Sequence, residues 1–90
     1  MILSVYSIRD CKSGFLRPSV DINDLVAIRA FSHAVVNSPD VLSSYCKDFD
    51  LYQIATFDDE TGEISPIFPP AHIISGPDAF RQLAGSGGDV

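Results

Sequence analysis

The chain lacks the long apolar segment that a membrane-spanning helix requires. None of its apolar runs approaches the roughly 20 residues needed to cross a bilayer. The opening residues, MILSVYSIRD, also lack the basic region and the small-residue cleavage site that are typical of a signal peptide. The sequence therefore predicts a cytosolic protein without a membrane partner.

Cysteine is scarce as well. The two cysteines, Cys11 and Cys46, are far apart and form no CxxC or Cys–His spacing. In a reducing compartment such a pair is typical of free thiols rather than of a disulfide or a metal site. His33 and His72 also lie at no recognised ligand spacing from another metal-binding residue. We therefore expect neither a metal nor a cofactor.

Positive charge is nearly missing from the second half of the chain. The formal net charge is −6, because the first 37 residues sum to +1 whereas residues 38–90 sum to −7. A polyanionic partner would have to contact the N-terminal half, since the rest of the molecule would repel it. The cations of that half are Arg9, Lys12, Arg17 and Arg29.

The most informative stretch, LYQIATFDDETGEISPI at residues 51–67, predicts a β-hairpin. Its first part alternates as a strand does, and DDETG at residues 58–62 supplies turn chemistry that ends in a glycine. Pro66 favours an edge position for the returning strand. In the first strand of this hairpin, one predicted face carries Tyr52, Ile54 and Thr56, and the other carries Leu51, Gln53, Ala55 and Phe57.

The N-terminal part predicts a second hairpin followed by a helix. Residues 2–9 carry apolar side chains on both faces, which is typical of a central strand. After the DCKSG turn, residues 15–20 predict a partner strand that Pro18 interrupts or ends. Residues 21–37 predict the main helix, capped by Asp21 or Asn23, and residues 39–45 a shorter one. The predicted apolar stripe of the main helix is Leu25, Ile28, Phe31 and Val35, beside Ala27, Ala30 and Ala34.

A pair of prolines, Pro69 and Pro70, predicts the end of the compact domain, because two prolines cannot continue a helix or a paired strand. We expect an α+β domain at residues 1–68, built from a small antiparallel sheet of two hairpins with one main helix on one face. Residues 69–90 are expected to form a partly flexible extension. In it, residues 71–75 add a short strand or lie across the surface, and a short helix follows Gly76. The second face of the sheet has no element to cover it, and its apolar side chains predict a homodimer.

Motifs for catalysis or calcium binding are missing. The acidic run at residues 58–63 fails the EF-hand pattern, because its glycine is fifth rather than sixth and no glutamate follows at position 12. No serine has a G-x-S-x-G context, and the glycines at residues 85–88 lack the lysine of a phosphate-binding loop. We therefore expect no enzymatic activity.

Aromatic and basic residues coincide in the N-terminal hairpin. Tyr6, Phe15 and the more distant Tyr52 are expected near Arg9, Lys12 and Arg17. Such a combination can stack on single-stranded bases and contact their phosphates, although aromatic residues more often belong to a core. The candidate DNA-binding residues are Arg9, Lys12, Arg17, Arg29, Tyr6 and Phe15.

Four segments also resemble a known family. They are SVYSIRD at residues 4–10, NDLVAIRAF at 23–31, LY at 51–52 and FDDETGE at 57–63. Their order resembles the small nonstructural protein of gokushoviruses, single-stranded DNA phages of the microvirus group, over about residues 1–70. The resemblance implies a role in genome replication or packaging, with DNA binding, in the cytoplasm of the bacterial host. The alternative is an acidic adaptor that binds a viral or host replication or assembly protein without contacting DNA.

Overall fold

The structure, a computed structural model, describes residues 1–37 and 46–81. It confirms the α+β class. A 3₁₀ turn at Cys46–Asp48 precedes the second hairpin, and residues 76–81 are helical. The strands and the main helix are β1 (Ile2–Asp10), β2 (Gly14–Phe15), β3 (Ser19–Asp21), α1 (Asp24–Asn37), β4 (Phe49–Asp58) and β5 (Ile64–Ser75).

The sheet is antiparallel throughout and has β1 near its centre. β4 pairs with one edge of β1, while the short strands β2 and β3 share the other edge. β5 lies outside β4 at the edge of the sheet, as Pro66 predicts. The break between β2 and β3 contains Pro18, which has no N–H to donate to a ladder. The two predicted hairpins and the central first strand are thus confirmed.

Both predicted turns depend on a glycine in the left-handed region. Gly14 has φ of 132° and Gly62 has φ of 80°. In the second turn the Gly62 N–H donates to the Asp58 carbonyl at 2.7 Å, and the Asp58 carboxylate accepts from the Glu60 N–H at 2.9 Å. The turn is therefore closed by its own backbone and by one carboxylate, as its composition predicts.

Helix α1 begins at Asp24, three residues later than predicted, because Asp21 pairs with Ser4 in the sheet. Asn23 is the N-cap, since its Oδ1 accepts from the Val26 N–H at 3.0 Å. The predicted apolar stripe is wrong at Leu25, whose side chain is 72% exposed. Two residues before the buried Ala27, Leu25 lies about 160° away around the helix.

One face of the sheet carries the core. Helix α1 and the helical residues 76–81 cover this face, and their buried side chains meet those of β1 and β4. The large apolar side chains of this core, those of Phe31, Val35, Phe49 and Leu51, stabilise the fold by about 1.5–3 kcal/mol each when fully buried. The core residues are Tyr6, Ala27, Phe31, Val35, Phe49, Leu51 and Ala79, with Ile8, Ile28, Ile73 and Ile74 packed against them.

A β-bulge at Ile54 changes the faces of β4. Val5 pairs with Ala55, but the next residue, Tyr6, pairs with Gln53, so Ile54 is an extra residue in the ladder. Because the side-chain period of a strand is two, one extra residue exchanges the faces beyond it. Leu51 and Ala55 therefore lie on opposite faces, and the prediction of a single alternating strand is wrong at this point.

Strand β5 continues through Pro69 and Pro70, so the prediction that pairing ends at these prolines is wrong. Pairing with β4 passes from Ala71 to Pro66, and residues 67–70 bulge out of the ladder. Prolines are tolerated at bulges on an edge strand because no ladder hydrogen bond is required there. The predicted helix at residues 39–45 and the tail at 82–90 lie outside the described residues.

Candidate nucleic-acid interface

The second face of the sheet is not covered by α1. Since Tyr6 and Ile8 of β1 point to the helix, Ser7 and Arg9 point to the opposite face. The register places Tyr52 opposite Ser7, and His72 opposite Tyr52. Residues from β1, β4 and β5 therefore form one row across this face.

Three rings line this row and form an aromatic strip, defined by Phe15, Tyr52 and His72. The ring centroids of Phe15 and Tyr52 are 5.6 Å apart, and those of Tyr52 and His72 are 5.2 Å apart. Both contacts are edge-to-face, so at most one ring face is covered in each pair. Phe15 is 48% exposed and the His72 side chain 50%, which leaves ring faces available to a ligand.

A small residue in β1 allows the strip to form. Phe15 and Tyr52 belong to strands on either side of β1 and meet across it. The β1 residue opposite Tyr52 is Ser7, which is buried and whose Oγ donates to the Leu16 carbonyl at 2.7 Å. A larger residue at this position would separate the two rings.

The carboxylate of Asp50 borders the aromatic strip beside His72. Nε2 of His72 lies 3.1 Å from Oδ1 of Asp50, and the ring donates because an ionised carboxylate only accepts. Asp50 is also opposite Arg9 in the sheet register, so one acid and one cation border the strip on the same face. Sequence reasoning treats His72 as an isolated histidine and misses this cluster, because its members come from three strands.

Two cations lie near the same end of the sheet. Lys12 is in the turn after β1, and Lys47 is in the 3₁₀ turn before β4. The Cys11 N–H donates to the Asp48 carbonyl at 2.9 Å and holds these two segments together. Neither lysine, nor Arg9, forms an ion pair within the described residues. Lys47 is a candidate that sequence reasoning missed, because 35 positions separate it from Lys12.

The prediction that Tyr6 stacks on bases is wrong. Its side chain is only 1% exposed and belongs to the core. The hydroxyl donates to the carboxylate of Asp24, and burial, followed by this hydrogen bond, raises the pKa of Tyr6 to about 12. The ring therefore has no face to offer to a base.

The remaining two predicted cations lie apart from the strip. Arg17 lines a cleft of about 130 Å³ between α1 and the sheet, on the helix-covered face. Arg29 is exposed on α1, in the layer that covers that same face. The structure thus brings Arg9, Lys12 and Phe15 together, and places Arg17 and Arg29 on the opposite side of the sheet.

The other end of the uncovered face is apolar. Leu3, Phe57 and Ile64 are successive partners across β1, β4 and β5, and we call these three residues the apolar end. Val20 lies beside it, opposite the buried Val5, and both Val20 and Ile64 are exposed. The apolar end borders the acidic turn that joins β4 to β5.

The comparisons with known proteins identify one family. A family model described as Phage ORF5 protein matches residues 3–79, which is most of the chain. No match to this chain was found among curated proteins or solved structures. Among the described residues no helix is long and apolar enough to cross a membrane. The resemblance to phage proteins is thus confirmed at the level of a small phage protein, and the chain belongs to the Phage ORF5 protein family.

Proposed function

We propose that this phage protein is a non-enzymatic nonstructural protein of the gokushovirus type, which binds single-stranded DNA during genome replication or packaging in the host cytoplasm. The observation that carries the proposal is the aromatic strip, exposed on a sheet face that α1 leaves uncovered. Bases would stack on the strip, and phosphates would contact the neighbouring cations.

Stacking explains a preference for single strands. In a duplex the faces of the bases are covered by their neighbours, whereas an unpaired base can place its face on Phe15, Tyr52 or His72. Each such contact contributes on the order of 1–3 kcal/mol and tolerates any sequence, because every base has a π-face.

Electrostatics make the binding weak and dependent on salt. Arg9, Lys12 and Lys47 are the cations nearest the strip, whereas the whole chain carries a net charge of −6. Each phosphate contact on a single strand contributes about −0.7 to the slope of log K against log salt, so three contacts give a slope of about −2. Binding is therefore expected at low salt and is largely lost at physiological salt.

The protein is proposed to act as a homodimer. Within the apolar end, Ile64 is exposed beside Leu3 and Phe57, and a second copy of the chain would bury these side chains. The apolar end lies about four residues along β1 from the aromatic strip, or roughly 13 Å at 3.3 Å per residue. The strip would remain accessible, and a dimer would present two of them to one strand.

Fluorescence anisotropy with a labelled oligothymidylate at low salt tests the aromatic strip. The double substitution Phe15→Ala and Tyr52→Ala removes two stacking rings and should weaken binding at least tenfold, since one stacked base contributes more than about 1 kcal/mol. Phe68→Ala is the matched control, because Phe68 is 90% exposed and lies outside the strip. Equal loss in both variants, or no loss in the double variant that keeps its melting temperature, contradicts the proposal.

The cations are tested in the same assay. Replacing Arg9 and Lys12 by Gln should reduce the salt slope by about 1.4, because two phosphate contacts are lost. Arg29→Gln and Arg17→Gln are controls for the opposite side of the sheet and should leave the slope nearly unchanged. If Arg17→Gln or Arg29→Gln reduced the affinity by as much for its one lost charge as the double variant does for each of its two, the aromatic strip would not be the binding site.

A second candidate function is an acidic adaptor for a viral or host replication or assembly protein. Its support is the apolar end, which lies next to the acidic turn at residues 58–63 and so combines apolar area with negative charge. Stable capture of such a protein, together with indifference to single-stranded DNA at low salt, would favour this function over DNA binding.

A further inference from the structure

We propose that Asp50 makes the aromatic strip selective for guanine. The inference deepens the proposed function, on which it rests, and concerns the same surface. Asp50 lies two residues before Tyr52 in β4, and both side chains are on the uncovered face. A base stacked on Tyr52 would therefore present one of its edges to the Asp50 carboxylate.

The carboxylate is held in place with accepting capacity to spare. Its Oδ1 accepts from Nε2 of His72 at 3.1 Å, and this is the one hydrogen bond that the Asp50 carboxylate makes within the described residues. The side chain is also partly exposed. An ionised carboxylate has about four lone-pair sites, so Oδ2 and part of Oδ1 remain available to a ligand.

Guanine is the base whose edge fits an acceptor of this kind. Its Watson–Crick edge presents two neighbouring donors, N1–H and the N2 amino group, which can reach both oxygens of one carboxylate. Cytosine and adenine present one amino group beside an acceptor nitrogen, and thymine presents one N–H between two carbonyl oxygens. Bases of single strands are read by hydrogen bonds on such edges, and acidic side chains accept from amino groups.

The position of Asp50 is otherwise unfavourable for a surface that contacts phosphate. Its negative charge lies opposite Arg9 in the sheet and repels any nucleic acid. Asp50 should therefore lower the affinity for every strand while raising the preference for guanine-containing strands. The absolute affinity therefore measures the electrostatic effect of the Asp50 charge, whereas the ratio of affinities between strands measures the hydrogen bonding of Asp50 to the base.

The test compares strands of about ten nucleotides, a length within the range that one small domain binds. One strand alternates thymine and guanine, one alternates thymine and cytosine, and one contains thymine alone. Lithium buffer prevents guanine quadruplexes. We expect the full-length protein to bind the guanine strand about tenfold more tightly than the thymine strand, as a bidentate contact does, with the cytosine strand between them.

Asp50→Asn should bind the thymine strand more tightly than the parent does and should reduce the guanine-to-thymine ratio to about one. Glu63→Gln is the charge-matched control, because Glu63 is exposed in the turn at the other end of the sheet. It should leave the ratio unchanged. If the role of Asp50 were purely electrostatic, Asp50→Asn would raise the affinity for all three strands by the same factor and leave the guanine-to-thymine ratio unchanged.

The outcomes separate the two proposals. Equal binding of all three strands by the parent, or an unchanged ratio in Asp50→Asn, overturns the selectivity and leaves DNA binding in place. Failure of the parent to bind any strand at low salt overturns the proposed function and the selectivity together.

Discussion

The hydroxyl of Tyr6 connects the central strand to the first residue of α1, and its removal should measurably destabilise the fold. Tyr6 is buried and donates to the carboxylate of Asp24. A hydrogen bond to a charged group contributes about 1.5–3 kcal/mol, and the lower end applies because Asp24 is exposed and water can replace the lost donor. Tyr6→Phe should therefore lower the free energy of unfolding by about 1.5 kcal/mol. For a domain of this size the melting temperature should fall by about 6–12 °C.

The same substitution should change the dependence of stability on pH. In the folded protein the pKa of Tyr6 is raised from 10.0 to about 12. Because the folded-state pKa is the higher one, the stabilisation is fully present below pH 10 and is lost as the pH rises to about 12. At about 1.4 kcal/mol per pKa unit, the loss amounts to roughly 3 kcal/mol. The phenylalanine variant lacks this loss, which exceeds the advantage of about 1.5 kcal/mol that the parent has at pH 7. The difference in stability between parent and variant should therefore shrink as the pH rises above 10 and change sign before pH 12.

Urea unfolding followed by circular dichroism at pH 7 and pH 11 measures both effects. All other ionisable groups are the same in both proteins, so the difference between the two proteins isolates Tyr6. Tyr52→Phe is the control, because the Tyr52 hydroxyl has no hydrogen-bond partner within the described residues. Identical unfolding midpoints of parent and Tyr6→Phe at pH 7, or a difference that stays constant up to pH 11, would refute the reasoning.

Two further predictions concern the turn and the apolar end. Gly62 has φ of 80° and open space around it, so Gly62→Val should lower the free energy of unfolding by about 1–2 kcal/mol through backbone strain alone. Gly62→Asn should be tolerated better, and equal melting temperatures of the two variants would contradict this prediction. Asp59→Asn should leave the melting temperature nearly unchanged, because its contact with the N-terminal amine is exposed. Light scattering at micromolar concentration should give twice the 9.8 kDa mass of the chain, and Ile64→Glu should give a monomer; a monomeric parent would disprove the proposed dimer.

Local sequence patterns were sufficient for most elements of the fold. The two glycine turns depend on residues that are adjacent in sequence, and the N-cap at Asn23 depends on a side chain three positions from its donor. Pro66 predicts the edge strand for a similarly local reason, since proline lacks the N–H that a central strand needs. Short-range chemistry of this kind is visible in one sequence because both partners lie within a few residues.

The exceptions depended on neighbours that are distant in sequence. Periodicity alone favours burial of Leu25, but the side of α1 that meets the sheet is set by Ala27, Phe31 and Val35. The extra residue at Ile54 is likewise defined by its pairing with β1, so alternation along β4 cannot reveal it. Such features appear only when the strands and the helix are placed together.

The candidate site shows the same division. The sequence by itself determined that cations are concentrated in the first half and that Arg9, Lys12 and Phe15 lie close together around one turn. Only the tertiary structure buried Tyr6, moved Arg17 and Arg29 to the other side of the sheet, and joined Phe15 to Tyr52 and His72. The reason is physical: sheet register connects residues across strands, and 57 positions separate Phe15 from His72 in the chain. The aromatic strip is therefore a property of strand pairing, which the order of residues in any single segment does not determine.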